Sequence, residues 1–178
     1  MSSSQASHHH VVIAQAANFD DGSLIRMTIP GTLTLQRFEA NEATMEVLRQ
    51  TILKEAQDGL DKETQRATDV LFESLFESTR IINEDGIVKY ELIVEELCGQ
   101  SCKDQAEDTT MYDAVTDYLA DEIDSGGFTR TLRLFAKECD AKGCGGIRGT
   151  SVEDGTFGDE EIEVTTVGDC PKFLSANA

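Results

Sequence analysis

Five cysteines offer the most direct chemistry in this sequence, and all of them fall in the second half of the 178-residue chain. Cys98 and Cys102 stand four residues apart, Cys139 and Cys144 stand five apart, and Cys170 follows alone. In an oxidising compartment this odd count predicts two disulfides and one spare thiol, with Cys170 as the spare. Bridges within each pair and bridges between the pairs both fit the spacing. In a reducing compartment, all five could instead be unpaired and buried.

Metal-binding patterns are weak. The cysteine spacings are looser than the Cys-x-x-Cys knuckles of structural zinc sites, so no zinc ligand is predicted. Of the acidic turns, 153–161 carries enough carboxylates for weak cation binding at most. The turn at 83–86 fails as an EF-hand, because aligning Gly86 with the loop glycine puts Ile81 and Leu92 at the first and last ligand positions. Ordinary turn chemistry explains both segments better.

Catalytic patterns are missing from the sequence. All histidines stand near the start of the chain, at His8, His9 and His10, so no Ser-His or Cys-His pair is expected in the domain. No nucleophile elbow, phosphate-binding loop or dinucleotide fingerprint occurs. We therefore predict no catalytic residue, no metal ligand and no cofactor, and we expect the protein not to be an enzyme.

The charge of the chain limits the kinds of partner that it can bind. Thirty-four acidic residues face 15 basic ones, which gives a formal net charge of −19. Such a field repels nucleic acid and anionic membranes, and it suits basic proteins, cations or simple solubility. No apolar stretch approaches the roughly 20 residues of a membrane-spanning helix. The composition therefore predicts a soluble protein whose partner is another protein, and its charge suits a basic one.

In the first half of the chain, alternation predicts one bent strand or two short strands over 25–35, around Pro30-Gly31. Asn41 is a favourable N-cap for a helix that ends near Gly59. A second helix is expected over 62–77, followed by a short strand at 80–82. The stripe predicted to face the core from the first helix is Met45, Leu48, Ile52 and Ala56.

In the second half, the clearest strand is 88–94, preceded by a hairpin turn at Asp85-Gly86. A helix should follow the loop 98–107 and end at 125–127, and another should begin at Thr129. We expect a turn at 153–159 and a last strand over about 162–167. The core stripe of the longer helix is Met111, Val115, Leu119 and Ile123.

The order of these elements, βαββαβ, predicts a ferredoxin-like α+β fold, in which helices pack on one face of an antiparallel sheet. The expected domain organisation is a flexible leader at 1–18, a single α+β domain at 19–168 and a C-terminal tail at 169–178.

Three segments resemble one known class of module. They are the strand 88–94, the helix 112–123 and the step Asp124-Ser125-Gly126-Gly127-Phe128-Thr129. This pattern is similar to SEA-type, ferredoxin-like modules of diatom-type marine algal surface proteins. The resemblance implies a secreted or cell-surface protein with an architectural role, and it carries over no functional residue. The chain departs from self-cleaving SEA domains because it lacks their Gly-Ser cleavage hairpin.

Three functions remain open. The leading expectation is a non-enzymatic secreted or cell-surface structural or interaction module with an acidic surface. The first alternative is an intracellular, cytoplasmic acidic adaptor or assembly protein that binds a basic partner through the open face of its sheet. The second alternative is a carboxylate-based enzyme or a metal or small-molecule binder.

Overall fold

The computed structural model describes residues 10–13, 23–73, 86–97 and 110–166. In chain order, its helices and strands are β1 (His10–Ile13), β2 (Ser23–Gln36), α1 (Glu42–Gly59), β3 (Gln65–Phe72), β4 (Ile87–Leu97), α2 (Thr110–Ser125), α3 (Gly127–Glu138), β5 (Ser151–Phe157) and β6 (Glu161–Thr166). A short 3₁₀ helix, Cys144–Ile147, connects α3 to β5.

The six strands form one sheet in the order β1-β6-β2-β4-β3, and β5 pairs with the second half of β2. β1 and β6 are parallel, and all other pairs are antiparallel. The predicted α+β class is confirmed. The ferredoxin-like order stays a prediction, because β1 and β5 add two strands that the predicted order does not contain. Residues 10–13 belong to the predicted leader and nevertheless form β1, while the other proposed domain limits stay predictions.

The long strand β2 has an imino acid near its middle. Pro30 has no N–H to donate to a neighbouring strand. The partner strands β5 and β6 are separated from each other at the same level. In the connection between them, the amide of Gly158 donates to the Pro30 carbonyl at 2.8 Å. Gly31 follows because the ring of Tyr90 lies where its side chain would be. β2 therefore remains continuous, as one of the two alternatives for 25–35 anticipated, and its partner strand is divided.

The core lies between one face of the sheet and the helices. On β2, the odd-numbered apolar residues from Ile25 to Leu35 are at most 3% exposed. Both predicted helix stripes, Met45 to Ala56 and Met111 to Ile123, are buried against them, as expected. The members of these stripes are Met45, Leu48, Ile52 and Ala56 on α1, and Met111, Val115, Leu119 and Ile123 on α2.

The ends of the helices follow their local sequence. Asn41 caps α1 as predicted: its Oδ1 accepts from Thr44 N, and Thr44 Oγ1 accepts from Asn41 N. Between α2 and α3, Gly126 takes a left-handed conformation with φ 81°. Glycine adopts this conformation without strain, so the chain turns there in a single residue.

The predicted helix at 62–77 is wrong for its described part, where β3 stands instead. A β-bulge between Ala67 and Asp69 inserts one residue into the strand. The inward positions near the bulge, Ala67 and Val70, are therefore three residues apart, which imitates helical spacing. The rest of that prediction and the strand expected at 80–82 lie outside the described residues.

The predicted turn at 153–159 is also wrong, because residues 153–157 belong to β5. Asp154 pairs with Thr34, and Gly155 pairs with Leu33. Gly155 lacks a side chain because Ile123 of α2 packs against it. Asp-Gly here marks a close approach of helix and strand, and the actual connection is 158–160.

Candidate interaction surface

The described helices cover only one face of the sheet, and we call the other the open face. Directly paired residues of neighbouring strands point to the same side. The members of the open face therefore follow from the register. Those on the two central strands are Leu24, Arg26, Thr28, Pro30, Thr32 and Thr34 on β2, and Ile87, Lys89, Glu91, Ile93, Glu95 and Leu97 on β4.

Four charged residues cross the open face in one line, which we call the charge row. Glu163 of β6 pairs with Arg26 of β2. Arg26 pairs with Glu95 of β4, and Glu95 pairs with Arg66 of β3. The signs alternate from one strand to the next, so the row has no net charge although the whole chain carries −19.

Among the residues that the structure describes, only the middle of the charge row forms an ion pair. Arg26 Nε and Nη2 both donate to Glu95 Oε1, at 3.0 and 2.9 Å. The Arg26 side chain remains 48% exposed. The two ends, Glu163 and Arg66, are exposed and make no ion pair with any residue that the structure describes. Within the described ranges, the row therefore ends in one carboxylate and one guanidinium without an ion-pair partner.

A shallow groove adjoins the charge row at one end of the central strands. Leu97, at 54% exposure, is the most exposed large apolar side chain on the open face, and Leu71 follows at 48%. Leu97 and its strand partner Leu24 thus lie beside the charge row, whereas Leu71 lies further along the face, beside Glu91. The groove is lined by Leu24, Glu63, Thr64, Arg66, Thr68, Glu95 and Leu97.

The outer edge of β3 is closed to further strands. The side-chain amide of Gln57 donates to Gln65 O at 3.2 Å and accepts from Ala67 N at 3.0 Å. It thereby satisfies two of the backbone groups that a neighbouring strand would use. The bulge that follows at Thr68 distorts the edge further, and both features are ways in which proteins prevent edge-to-edge pairing.

A strongly acidic surface lies on the outer side of α2. α2 carries five acidic residues and no basic one. Burial raises the pKa of the Tyr112 hydroxyl, and the carboxylates of Glu160, Asp159, Asp113 and Asp117 raise it further. The strongly negative region therefore extends from α2 to the β5–β6 connection.

Two of the five cysteines are joined. Cys139 and Cys144 form a disulfide with their Cα atoms 6.2 Å apart, which is one of the pairings that their spacing allowed. The loop that they close contacts the start of α1. Asn41 Nδ2 donates to Gly143 O at 3.0 Å, and Glu39 N donates to Gly146 O at 3.2 Å. The bridge therefore holds a loop that anchors the N-terminus of α1.

The remaining candidate cysteines, Cys98, Cys102 and Cys170, lie outside the described residues. Across the described ranges, no group of three or more His, Cys, Asp or Glu side chains could hold a metal ion. No described helix is long and apolar enough to cross a membrane.

Comparisons with known proteins do not assign the chain to a family. No family model matches the chain, and no curated protein matches it. The periplasmic protease PqqL from Escherichia coli is similar over 88% of this chain, with a TM-score of 0.32 and 9% identity. A mutant of the ferredoxin protease FusC, in complex with Arabidopsis ferredoxin, is similar over 88% of this chain, with a TM-score of 0.28 and 11% identity. The chain spans 20% of the length of each protease. Likenesses this weak carry no argument about fold or activity.

Sequence reasoning missed the charge row. Its members are far apart in the sequence: Arg66 and Glu95 are separated by 29 positions, and every other pair is separated by 40 or more. Arg26 could be assigned to the outer face by alternation alone. The pairing of Glu95 with Arg66 could not be predicted, because the segment that forms β3 was predicted to be a helix.

Proposed function

We propose that this protein is a non-enzymatic, secreted or cell-surface interaction module that binds a protein partner through the open face of its sheet. The observation that carries the proposal is the combination of Leu97, about half exposed, and Leu24 with the charge row on a face that no described helix covers. An antiparallel sheet whose second face meets only water is usually polar on that side. Exposed apolar side chains that lie together between charged ones are typical of a contact surface.

The secreted or surface location rests on the disulfide between Cys139 and Cys144. Such bonds persist in oxidising compartments and are rare in the cytosol. The resemblance of the second half to SEA-type surface modules points the same way and remains part of the proposal.

Site-specific photo-crosslinking tests the open face. A benzophenone side chain replaces Leu97 in one protein and Leu134 in another, and both are expressed in the cells that make the protein. Leu134 is the matched control, because it lies on α3 and is 52% exposed against 54% for Leu97. We expect protein adducts from position 97 that position 134 does not give. Identical adducts from both positions, or none from position 97, would contradict the proposal.

A second candidate is an intracellular acidic adaptor that binds a basic partner. It is favoured by α2, whose outer side presents Asp113, Asp117, Asp121 and Asp124 without a compensating base. The charge row of the open face is balanced, so α2 suits a basic partner better than the sheet does. A D117N/D121N variant should lose salt-sensitive binding of a basic protein such as histone, whereas an E91Q variant of the open face should retain it. Equal binding by both variants would argue against this candidate.

A further inference from the structure

We propose that the partner of the open face is a second copy of this chain, which binds face to face about a two-fold axis parallel to the strands. This inference rests on the proposed function, since it names the partner of the same surface. A two-fold dimer uses one patch twice, so the patch must complement itself.

The charge row meets this requirement. Its signs run negative, positive, negative, positive from β6 to β3. Rotation about an axis parallel to the strands reverses the order of the strands, so Glu163 of one copy lies opposite Arg66 of the other. Arg26 then lies opposite Glu95. Rotation about an axis along the row would instead place Glu163 opposite Glu163, which is repulsive.

The unpaired ends of the row acquire partners in this arrangement. Glu163 and Arg66 make no ion pair with any described residue of their own chain, and the dimer supplies two identical Glu163–Arg66 contacts between copies. Sheets that stack face to face lie about 10 Å apart, a gap that glutamate and arginine side chains can bridge together.

The apolar neighbours of the row also match themselves. Leu24 pairs with Leu97 on one side of the row, and Thr28 pairs with Ile93 on the other. The same rotation leaves positions along the strands unchanged, so Leu24 of one copy meets Leu97 of its partner. Apolar surface is thus buried against apolar surface on the Leu24 and Leu97 side of the charges, and on the other side Thr28 meets Ile93.

Other modes of self-association are less favourable. Gln57 occupies two backbone groups at the start of β3 that edge-to-edge pairing there would need. The surface of α2 is acidic throughout, so two copies repel each other there. At about 0.15 M salt, the Debye length is about 8 Å, so the net charge of each copy is largely screened while direct contacts are retained.

The test is sedimentation equilibrium of the purified full chain at about 0.15 M salt. We expect a mixture of monomer and a species of twice the 19.5 kDa chain mass, with a dissociation constant in the micromolar range. E163R and R66E should each weaken the dimer about tenfold or more, because two attractive contacts become repulsive. E163R lowers the net negative charge, so an effect of overall charge would strengthen the dimer instead.

The decisive measurement mixes the two variants. An E163R chain with an R66E chain restores both contacts, so the mixture should form a dimer about as tightly as the wild type. E138R and R130E on α3 are the matched controls, since they change charge equally and should leave the dimer unaffected. A wild type that stays monomeric at millimolar concentration overturns the inference, as does a mixture no tighter than its components.

The two proposals can fail separately. A monomeric chain whose position 97 crosslinks to a different protein retains the proposed function and loses the self-association. A chain without adducts at position 97 and without a dimer loses both.

Discussion

Breaking the bond between Cys139 and Cys144 should lower the free energy of unfolding by a predictable amount. The bond closes a loop of about six residues, and constraining such a loop removes about 2 kcal/mol of chain entropy from the unfolded state. The loop also provides Gly143 O and Gly146 O to the segment before α1. Reduction should therefore loosen the N-terminus of α1 as well, which we expect to appear as faster hydrogen exchange at Thr44.

The assay is urea unfolding of the wild type and of a C139A/C144A variant, each with and without a thiol reductant. Without reductant, the wild type should be more stable by about 2 kcal/mol. With reductant, the difference should shrink to the contribution of the buried sulfur of Cys144, which is 1% exposed. The variant controls for reduction of any other cysteine. Because it lacks Cys139 and Cys144, any effect of the reductant on its stability comes from the remaining cysteines.

Peptide mass spectrometry of unreduced protein verifies the bond itself. A proteolytic fragment that contains Cys139 linked to Cys144 is expected. The reasoning is refuted if reduction of this bond is complete by mass and the unfolding midpoint does not move. It is equally refuted if both thiols are free in protein taken from its native compartment.

Three further perturbations follow from contacts in the fold. G31A should cost about 1–3 kcal/mol because its Cβ would overlap the Tyr90 ring, whereas G149A, with nothing within 4 Å, should be neutral in the same urea assay. Burial raises the pKa of Tyr90 above its usual 10.0, so the unfolded chain loses this proton first as pH rises. Stability should therefore be complete below about pH 10 and fall above it, and Y90F should make that fall smaller; equal alkaline loss in both proteins would contradict this. Q57A should cost about 1 kcal/mol and speed aggregation by exposing the β3 edge, while Q50A on the same helix should do neither when light scattering is followed.

Local signals were sufficient for the elements with uninterrupted periodicity. Asn41 and the stripe from Met45 to Ala56 predict α1 because capping and a 3.6-residue repeat agree over its full length. Alternation predicts β4 for the same reason, since inward and outward residues alternate without interruption from Val88 to Val94. The disulfide was one of several pairings, and the choice among them depends on how α3 ends, which spacing does not specify.

The failures have a common physical cause, which is contact with an element distant in sequence. At β3, a bulge makes Ala67 and Val70 resemble a helical pair, and only pairing with β4 reveals a strand. At β5, Asp154-Gly155 resembles a turn, although the glycine is there to accommodate Ile123. Propensity describes a residue in isolation, and in both places tertiary packing overrides it.

The distribution of charge says more about function than its total. Acidic residues four apart on α2 repel each other and weaken that helix by a few tenths of a kcal/mol per pair, and no base compensates for them. The packing of α2 against the rest of the protein is therefore stabilised by its buried apolar stripe, which ends at Ile123. On the open face, by contrast, every acidic member of the charge row has a basic neighbour. A surface shaped only by selection for solubility would have no reason to keep these two regions different. The difference is what a protein needs if its copies or partners must meet on one face while the other keeps them apart.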